Sequence, residues 1–449
     1  MTKKSKSVAK KKTARVKKIP GVVKIEAIDF MGTQKAHRIH FENGLRVIHL
    51  RRKIAPVFSY QTWFNVGSRD EDPGFSGMAH LFEHMMFKGT KQRKPGVFDR
   101  MMESNGARDL NAFTSTDYTA YVQSLPIEAF PLVAQLESER MTSLKLSKPG
   151  FDSERQVVHN ERKEHQENNP EGKMFEELSK AAFQKHPYGW PVIGFAQDLD
   201  RMGTKDLRDF YGRFYAPNNA VIVVVGDLDR DFVAKEISKR YARFPRSQGK
   251  RHTPTTEPKQ EKERVVELDL NIQIEKAYVG YKIPPATHED SLALSMLGSL
   301  LTSGRSSRLY QALVDKGHAM EVNSGSGAGK DPGLFYIVLS AQAGKSVKAC
   351  LDILDREIAR VETEALSDSE MRRVRNKMKT DFHQALMSNA SVANFIGHNE
   401  TIYGDFTKEF EQFRELDRVG AKDLKRVAKE YFRKGGRTIV IGKPKREGV

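Results

Sequence analysis

The chain carries one pattern twice, and the two copies begin 217 residues apart. Residues 206–225, DLRDFYGRFYAPNNAVIVVV, are echoed by residues 423–442, DLKRVAKEYFRKGGRTIVIG. Each copy has the spacing of an amphipathic helix followed by an apolar strand. A chain of 449 residues, 38% of them hydrophobic, is long enough for two domains of ordinary size. The repeat therefore predicts two tandem copies of one domain.

Strand and helix patterns alternate along both halves. The segment AHRIHFENGLRVIHLRR alternates apolar positions on either side of Glu42-Asn43-Gly44, which indicates a hairpin. Helical spacing follows at residues 77–88, 95–102, 126–143, 152–166, 172–185 and 204–214. We therefore expect an α+β fold in which each domain is an antiparallel-rich sheet packed with helices.

A polar stretch separates the two halves. Residues 246–264, RSQGKRHTPTTEPKQEKER, include two prolines and almost no large apolar side chain, as linkers do. The predicted domains are residues 37–245 and residues 265–449.

The positive charge is concentrated at the N-terminus. Residues 1–24 hold ten Lys or Arg and no Asp or Glu, out of a net charge of +17 for the chain. We interpret residues 1–30 as a disordered basic arm. A solubilising tail explains this arm more simply than a nucleic-acid contact does, since the rest of the chain is only mildly basic.

Other sequence features bear on the cellular compartment. Cys350 is the single cysteine, so no intrachain disulfide can form. The N-terminus lacks the apolar segment of a secretory signal, and no run of eighteen apolar residues occurs. We expect a cytoplasmic protein with no membrane contact.

Residues 80–84, His-Leu-Phe-Glu-His, form the first half of a candidate metal site. His80 and His84 are one helical turn apart, so both imidazoles can reach one cation, and Glu83 projects to the same side. Apolar neighbours on both sides of the motif would shield the site from water. Zinc accepts imidazole readily and in catalytic sites takes three protein ligands, so a third ligand is required.

A charged helix at residues 153–167, SERQVVHNERKEHQE, offers candidates for that ligand. Glu154 and Glu161 lie two turns apart on one face, so one can bind metal while the other orients a ligand. Spacing alone leaves His159, Glu164 and His165 as rivals.

A glycine-rich stretch at residues 324–330, SGSGAGK, resembles a phosphate-binding loop only superficially. Ser324 stands where that motif needs Gly, and Asp331 follows the Lys in place of Ser or Thr. We expect a turn between two strands.

His80, Glu83 and His84, followed after 76 residues by Glu161, resemble the inverted zinc-peptidase signature of the pitrilysin and mitochondrial processing peptidase family. The resemblance covers residues 37–445. Its further landmarks are NVGSRDED, residues 111–114 (NAFT), 117–119 (DYT), 186–189 (HPYG) with Gly194, and 215–219 (YAPNN).

The resemblance implies a zinc endopeptidase whose two domains form half of a clamshell. His80, His84 and Glu161 would ligate one Zn²⁺ per chain, and Glu83 would be the general base. Glu154 would hold a ligand histidine. Residues 111 and 112, Asn and Ala, would belong to an edge strand that binds substrate peptides by β-augmentation.

The resemblance also exposes a missing pair of residues. Active members carry an Arg and a Tyr, seven residues apart, in the C-terminal half, and here Val314 and Glu321 stand at those positions. This implies a heterodimer with a related subunit that supplies Arg and Tyr, with a homodimer as the alternative. The expected substrates are peptides or unfolded segments. A non-catalytic, core-type structural subunit of the same fold is the other functional hypothesis.

Overall fold

The first half of the chain builds a mixed sheet around a strand that is buried along its whole length. A computed structural model describes residues 19–445. The strands of this sheet are β1 (Val22–Phe30), β2 (Gln34–Phe41), β3 (Arg46–Arg51), β4 (Val57–Phe64), β5 (Arg108–Thr114), β6 (Thr119–Pro126) and β7 (Ala220–Gly226). Their spatial order is β1-β2-β3-β7-β4-β6-β5, with β3 and β7 parallel and the other neighbours antiparallel. Every residue of β7 is buried, as an unbroken apolar run requires.

The second half repeats this topology in a smaller sheet. Its strands are β8 (Arg264–Leu270), β9 (Lys276–Ile283), β10 (Ala319–Ser326), β11 (Gly333–Ala341) and β12 (Arg437–Pro444). The order β10-β11-β9-β12-β8 matches β5-β6-β4-β7-β3, and β12 pairs in parallel with β8 as β7 does with β3. The predicted duplication is therefore visible in the strand connections.

Helices accompany both sheets in the same order. Those of the first half are α1 (Met78–Met85), α2 (Val97–Ser104), α3 (Phe130–Ser143), α4 (Lys148–Arg162), α5 (Pro170–Ala182), α6 (Ala196–Arg201), α7 (Thr204–Phe214) and α8 (Arg230–Tyr241). Those of the second half are α9 (Ser291–Thr302), α10 (Val347–Thr363), α11 (Asp368–Gln384), α12 (Asn389–Ile402), α13 (Lys408–Glu415) and α14 (Ala421–Tyr431). A π-helical segment, Lys163–Glu167, continues α4.

The two halves exchange one helix each. Helix α12 of the second half packs on β4 and β7, where Val392 and Ile396 join the core around Trp63. Helix α5 of the first half packs on β8, β9 and β12, where Met174 and Leu178 are fully buried. Each domain therefore covers a face of the other's sheet, which ties the two domains together by apolar burial.

The fold class predicted from the sequence is confirmed: two domains, each a mixed sheet packed with helices. The hairpin is confirmed as β2 and β3, and the stretch between β10 and β11 is a turn. Residues 246–263, in the predicted linker, contain neither helix nor strand. No helix among residues 19–445 combines the length and apolar character of a membrane span.

The predicted disordered arm at residues 1–30 is wrong for part of its length. Residues 22–30 form β1, which pairs antiparallel with β2 at the edge of the first sheet. In VVKIEAIDF, Phe30 is buried and Ile25 and Ile28 are half-buried. The lysines beside these residues make the apolar pattern of the strand hard to recognise in the sequence. Residues 1–18 lie outside the described part of the chain.

Gly397 tests the packing of α12 on the first sheet. A Cβ at this position would lie 2.1 Å from Trp63 Nε1. We expect Gly397→Ala to lower the free energy of unfolding by about 1–3 kcal/mol, because overpacking outweighs the helix propensity of Ala. Denaturant unfolding followed by circular dichroism measures the change.

Gly212 in α7 is the matched control, since a Cβ there meets no atom within 4 Å. Gly212→Ala should stabilise the protein by about 0.5–1 kcal/mol through helix propensity alone. A stabilising effect of both substitutions would contradict the tight contact between α12 and Trp63.

Candidate functional site

The first turn of α1, the helix that carries the His-x-x-Glu-His motif, is held by the side chain of Glu71. The carboxylate of Glu71 accepts hydrogen bonds from the backbone N–H groups of Gly77 (2.9 Å) and Ala79 (2.8 Å) at the start of α1. A carboxylate at a helix N-terminus satisfies free donors and complements the helix dipole. Glu71 therefore determines where α1 begins.

Gly194 joins this start to the end of α4. Its φ is +84°, and a Cβ would lie 2.2 Å from the carbonyl oxygen of Ser76, so only glycine fits. The same residue's carbonyl oxygen accepts a hydrogen bond from Arg162 Nη1 (2.8 Å), at the last residue of α4. The backbone at Gly194 thus sets the distance between the two helices that hold the predicted ligands.

His80, His84 and Glu161 come together between α1 and α4. His80 Nε2 lies 3.6 Å from Glu161 Oε1, and His84 Nε2 lies 3.4 Å from Glu161 Oε2. The three ligand atoms lie within 4.8 Å of one another, and this is the metal-ligating group found among residues 19–445. Tetrahedral zinc with bonds of about 2.0 Å places its ligand atoms about 3.3 Å apart. Two imidazoles and a carboxylate at these distances fit zinc.

The rival ligands are not members of this group, although His165 lines the same cavity as His80 and Glu161. His159 Nε2 lies 3.0 Å from Asp200 Oδ1. Glu164 and His165 fall on the exposed π-helical segment after α4. The packing of α4 on α1 therefore favours Glu161 among the candidates that spacing left open.

Glu154 contacts the other side of His84. Glu154 Oε2 lies 3.4 Å from His84 Nδ1, and Glu154 also forms an ion pair with Lys88. A carboxylate on the free ring nitrogen fixes the orientation of an imidazole whose Nε2 faces a metal. His80 differs, since its buried Nδ1 has no hydrogen-bond partner among the described residues.

The two histidines differ in their pKa. Burial lowers the pKa of His80 to about 4. Burial also opposes the charged form of His84, but the carboxylates of Glu154 and Glu161 outweigh it and raise the pKa of His84 to about 9. A divalent cation held by both rings must therefore displace a proton from His84 at neutral pH.

Glu83 faces the same space and is held by a threonine. Thr114, the last residue of β5, donates a hydrogen bond from Oγ1 to Glu83 Oε2 at 2.6 Å. Burial raises the pKa of Glu83 above its usual value, although the bond from Thr114 opposes the shift. A carboxylate whose pKa is shifted towards neutrality is suited to accepting a proton.

Residues 111 and 112 lie on β5, the last strand of the first sheet. Within residues 19–445, β6 is the one strand that pairs with β5, so the other edge of β5 has no strand partner there. The register shifts between Arg108 and Asn111, and Asp109 has a φ of +55°. The bulge lies before Thr114, the residue of β5 that contacts Glu83.

A cavity of ≈ 550 Å³ opens beside the three ligands. It lies between the two domains, and aromatic rings from both of them form part of its wall. Residues that line it include His80, Thr114, Glu161, Phe175, Trp190 and Tyr336. Phe175 packs edge-on against Tyr336 at a ring distance of 5.2 Å.

Val314 and Glu321 provide neither of the expected side chains. Val314 packs against the apolar core of the second domain, and Glu321 is exposed on β10. Sequence reasoning brought together the candidate ligands and the candidate base but missed Glu71 as a cap and Thr114 as a hydrogen-bond donor. Both lie in quoted landmarks, but their partners are set by irregular loops that no periodicity describes.

Two protein-family models match the sequence, one in each half of the chain. Residues 46–195 match the insulinase family (peptidase family M16), and residues 202–378 match the peptidase M16 inactive domain. The zinc protease PqqE of Helicobacter pylori is 33% identical over 422 residues, which are 91% of this chain and 93% of that protein. The chain belongs to the M16 family of peptidases.

Solved structures share the fold. The crystal structure of a protease from Helicobacter pylori matches with a TM-score of 0.87 and 31% identity, over 92% of this chain and 100% of that chain. The periplasmic protease PqqL from Escherichia coli matches with a TM-score of 0.77 and 20% identity, over 93% of this chain and 48% of that chain. At this lower identity the likeness concerns the fold alone.

Glu154 provides a test of how the site holds metal. We expect Glu154→Gln to weaken zinc binding by about 10- to 100-fold, because His84 loses the charge that orients its ring. Competition with a chromophoric chelator measures the affinity. Glu164→Gln is the control, since Glu164 is exposed on the segment that follows α4. Equal affinity in the Glu154 variant and the parent would contradict the assigned role.

Proposed function

We propose that the chain is the zinc-bearing subunit of an endopeptidase that hydrolyses peptides or unfolded segments. The observation that carries this proposal is the position of Glu161, within 3.6 Å of both imidazole Nε2 atoms. His80, His84 and Glu161 would hold one Zn²⁺, and Glu83 would act as general base. When bound, the zinc would polarise a carbonyl group and acidify a water molecule.

Glu83 is placed to move the proton in this reaction. One of its oxygens is engaged by Thr114, which leaves the other free to accept a proton from the attacking water. Glu83 then returns the proton to the leaving amine. A raised pKa favours both steps, because a base with a pKa nearer the working pH takes up and releases protons more readily.

The edge of β5 would bind the substrate backbone. An extended peptide that pairs with β5 near Asn111 and Ala112 gains main-chain hydrogen bonds with little demand on sequence. The cavity beside Glu161 would then take a substrate side chain. Folded proteins lack a free strand to offer, so peptides and unfolded segments are the proposed substrates.

A cationic donor would stabilise the tetrahedral oxyanion better than the neutral donors that line the cavity, such as Tyr336. No Lys or Arg is among the described residues that line it, and Val314 and Glu321 stand where Arg and Tyr are expected. We infer that a related subunit supplies them in a heterodimer, with a homodimer as the alternative. The match of this chain to 48% of PqqL from Escherichia coli, a protein long enough for two such halves, supports pairing. A cytoplasmic location remains part of the proposal.

Substitution of the general base tests the enzyme proposal. Glu83→Gln should retain one zinc per chain and lose at least about 100-fold in turnover of a peptide substrate, because the amide cannot accept the proton. Metal analysis and a fluorogenic peptide assay give the two values. Glu103→Gln, exposed on α2, is the control. A Glu83 variant as active as the parent would exclude Glu83 as the base.

Mixing experiments test the partner. We expect the isolated zinc-loaded chain to be weakly active, and a related chain that carries Arg and Tyr to raise turnover by about 100- to 1,000-fold, as expected for oxyanion donors. Titration of one chain with the other should saturate at equal amounts. Full activity of the isolated chain would contradict the partner while leaving the zinc assignment intact.

A further inference from the structure

The turn between β10 and β11 reaches into the first domain. The backbone N–H of Lys330 donates to Asp117 Oδ2 (3.3 Å), and Lys330 Nζ donates to the carbonyl oxygen of Asp117 (3.2 Å) and to Asn65 Oδ1. These contacts join residues more than 200 positions apart in the sequence. We call residues 327–332 the clasp.

Asp331, also in the clasp, links it to Arg69, His186 and Tyr188 of the first domain. Its Oδ2 accepts hydrogen bonds from Arg69 Nε (2.9 Å) and lies 3.1 Å from His186 Nε2. Its backbone N–H donates to the hydroxyl of Tyr188 (3.2 Å), and that hydroxyl donates to Asp117 (2.8 Å). Asp117 is buried, so these bonds satisfy a carboxylate that has lost its water.

Gly329 allows the clasp to approach so closely. A Cβ at this position would lie 2.1 Å from Asp117 Oδ2 and 2.4 Å from the hydroxyl of Tyr188. Any larger residue would push the clasp away from the first domain. The glycine-rich sequence thus serves contact between domains, which a free surface turn would not require.

The network surrounds the turn that follows Thr114. The backbone N–H of Ser68 donates to the carbonyl oxygen of Ser115 (3.2 Å), and that of Arg69 donates to the carbonyl oxygen of Thr116 (3.0 Å). The clasp holds the next residue, Asp117. Thr114, at the start of this turn, holds Glu83 at 2.6 Å.

The topology gives this contact a simple origin. β10 and β11 are the counterparts of β5 and β6 in the duplicated fold. The clasp is therefore the second domain's copy of the turn between β5 and β6, and the two copies bind each other.

We propose that Lys330 is a positioning residue for the general base: the clasp fixes the turn at Asp117, the turn fixes Thr114, and Thr114 fixes one oxygen of Glu83. The inference rests on the proposed peptidase function. It assigns to the second domain, which bears none of the predicted ligands, control over the geometry of the site. Displacement of a catalytic group by about 1 Å can cost about 100-fold in rate.

Four variants test the chain of contacts in the zinc-loaded full-length protein with its partner. Lys330→Met and Thr114→Val should each lower kcat by about 10- to 100-fold with little change in KM, because both release Glu83 while the backbone of β5 and the shape of the cavity wall at Thr114 are kept by the isosteric Val. Thr114→Ser keeps the hydroxyl and should recover most of the loss. The double variant Lys330→Met/Thr114→Val should be no slower than the slower single variant, since both act through one bond. Fully additive losses in kcat would overturn the proposal.

A second measurement does not depend on activity. Hydrogen exchange of the backbone amides of Ser115 and Tyr118 should become faster in Lys330→Met, while exchange in α1 stays as in the parent. Lys345→Met is the matched control, because the Nζ of Lys345 donates to the carbonyl oxygen of Gly317, within the second domain and away from the turn. Unchanged exchange at the turn would overturn the proposal whether or not the protein is a peptidase. An inactive parent with faster exchange in Lys330→Met would instead reject the proposed function alone.

Discussion

The structure of the first domain depends on bringing two imidazole nitrogens and one carboxylate together. They lie on α1 and α4, and 77 positions separate His84 from Glu161 in the sequence. Removing these groups from water costs free energy unless a cation or a proton compensates them. Hydrogen bonds to the backbone hold the helices of the three side chains in place. Glu71 fixes the first turn of α1, and the carbonyl group of Gly194 fixes the end of α4 through Arg162. The ligands are thus held by contacts that do not involve the metal.

The duplicated fold shows how one copy was specialised. α1 and α9 occupy corresponding places in the order of elements, but α9 reads SLALSMLGSLLT and has no histidine. The second copy therefore has no counterpart of the His80 and His84 pair. What it contributes is contact: α12 covers the first sheet, and the clasp covers the turn beside Glu83. One copy carries the candidate metal site, and the other packs against it.

The features predictable from sequence were those encoded within one element. The His80, Glu83 and His84 spacing lies on a single helix, and the repeat lies in a helix followed by a strand, so periodicity alone identified both. Glu161 could not be separated from Glu164 or His165 by spacing, because that choice depends on how α4 packs against α1. The packing of α5 and α12 on the opposite domain's sheet could not be predicted either, because the pattern of an amphipathic helix does not indicate which sheet it packs against. β1 was predictable in principle, but the lysines before it obscured its alternation.

The pairing of charges near the site is consistent with the proposed second subunit. Cationic side chains near the candidate ligands and in the clasp network are already paired: Lys88 with Glu154, Arg162 with Glu176 and the backbone of Gly194, Arg69 with Asp331, and Lys330 with the backbone of Asp117 and with Asn65. Lys88, Arg162 and Arg69 neutralise carboxylates that contact His84 and the end of α4 or belong to the clasp. An Arg or Lys that left its partner to meet a developing oxyanion would leave a buried carboxylate uncompensated, at a cost of several kcal/mol. A donor from a separate chain carries no such obligation, so it can stabilise the oxyanion without loosening the geometry that holds Glu83.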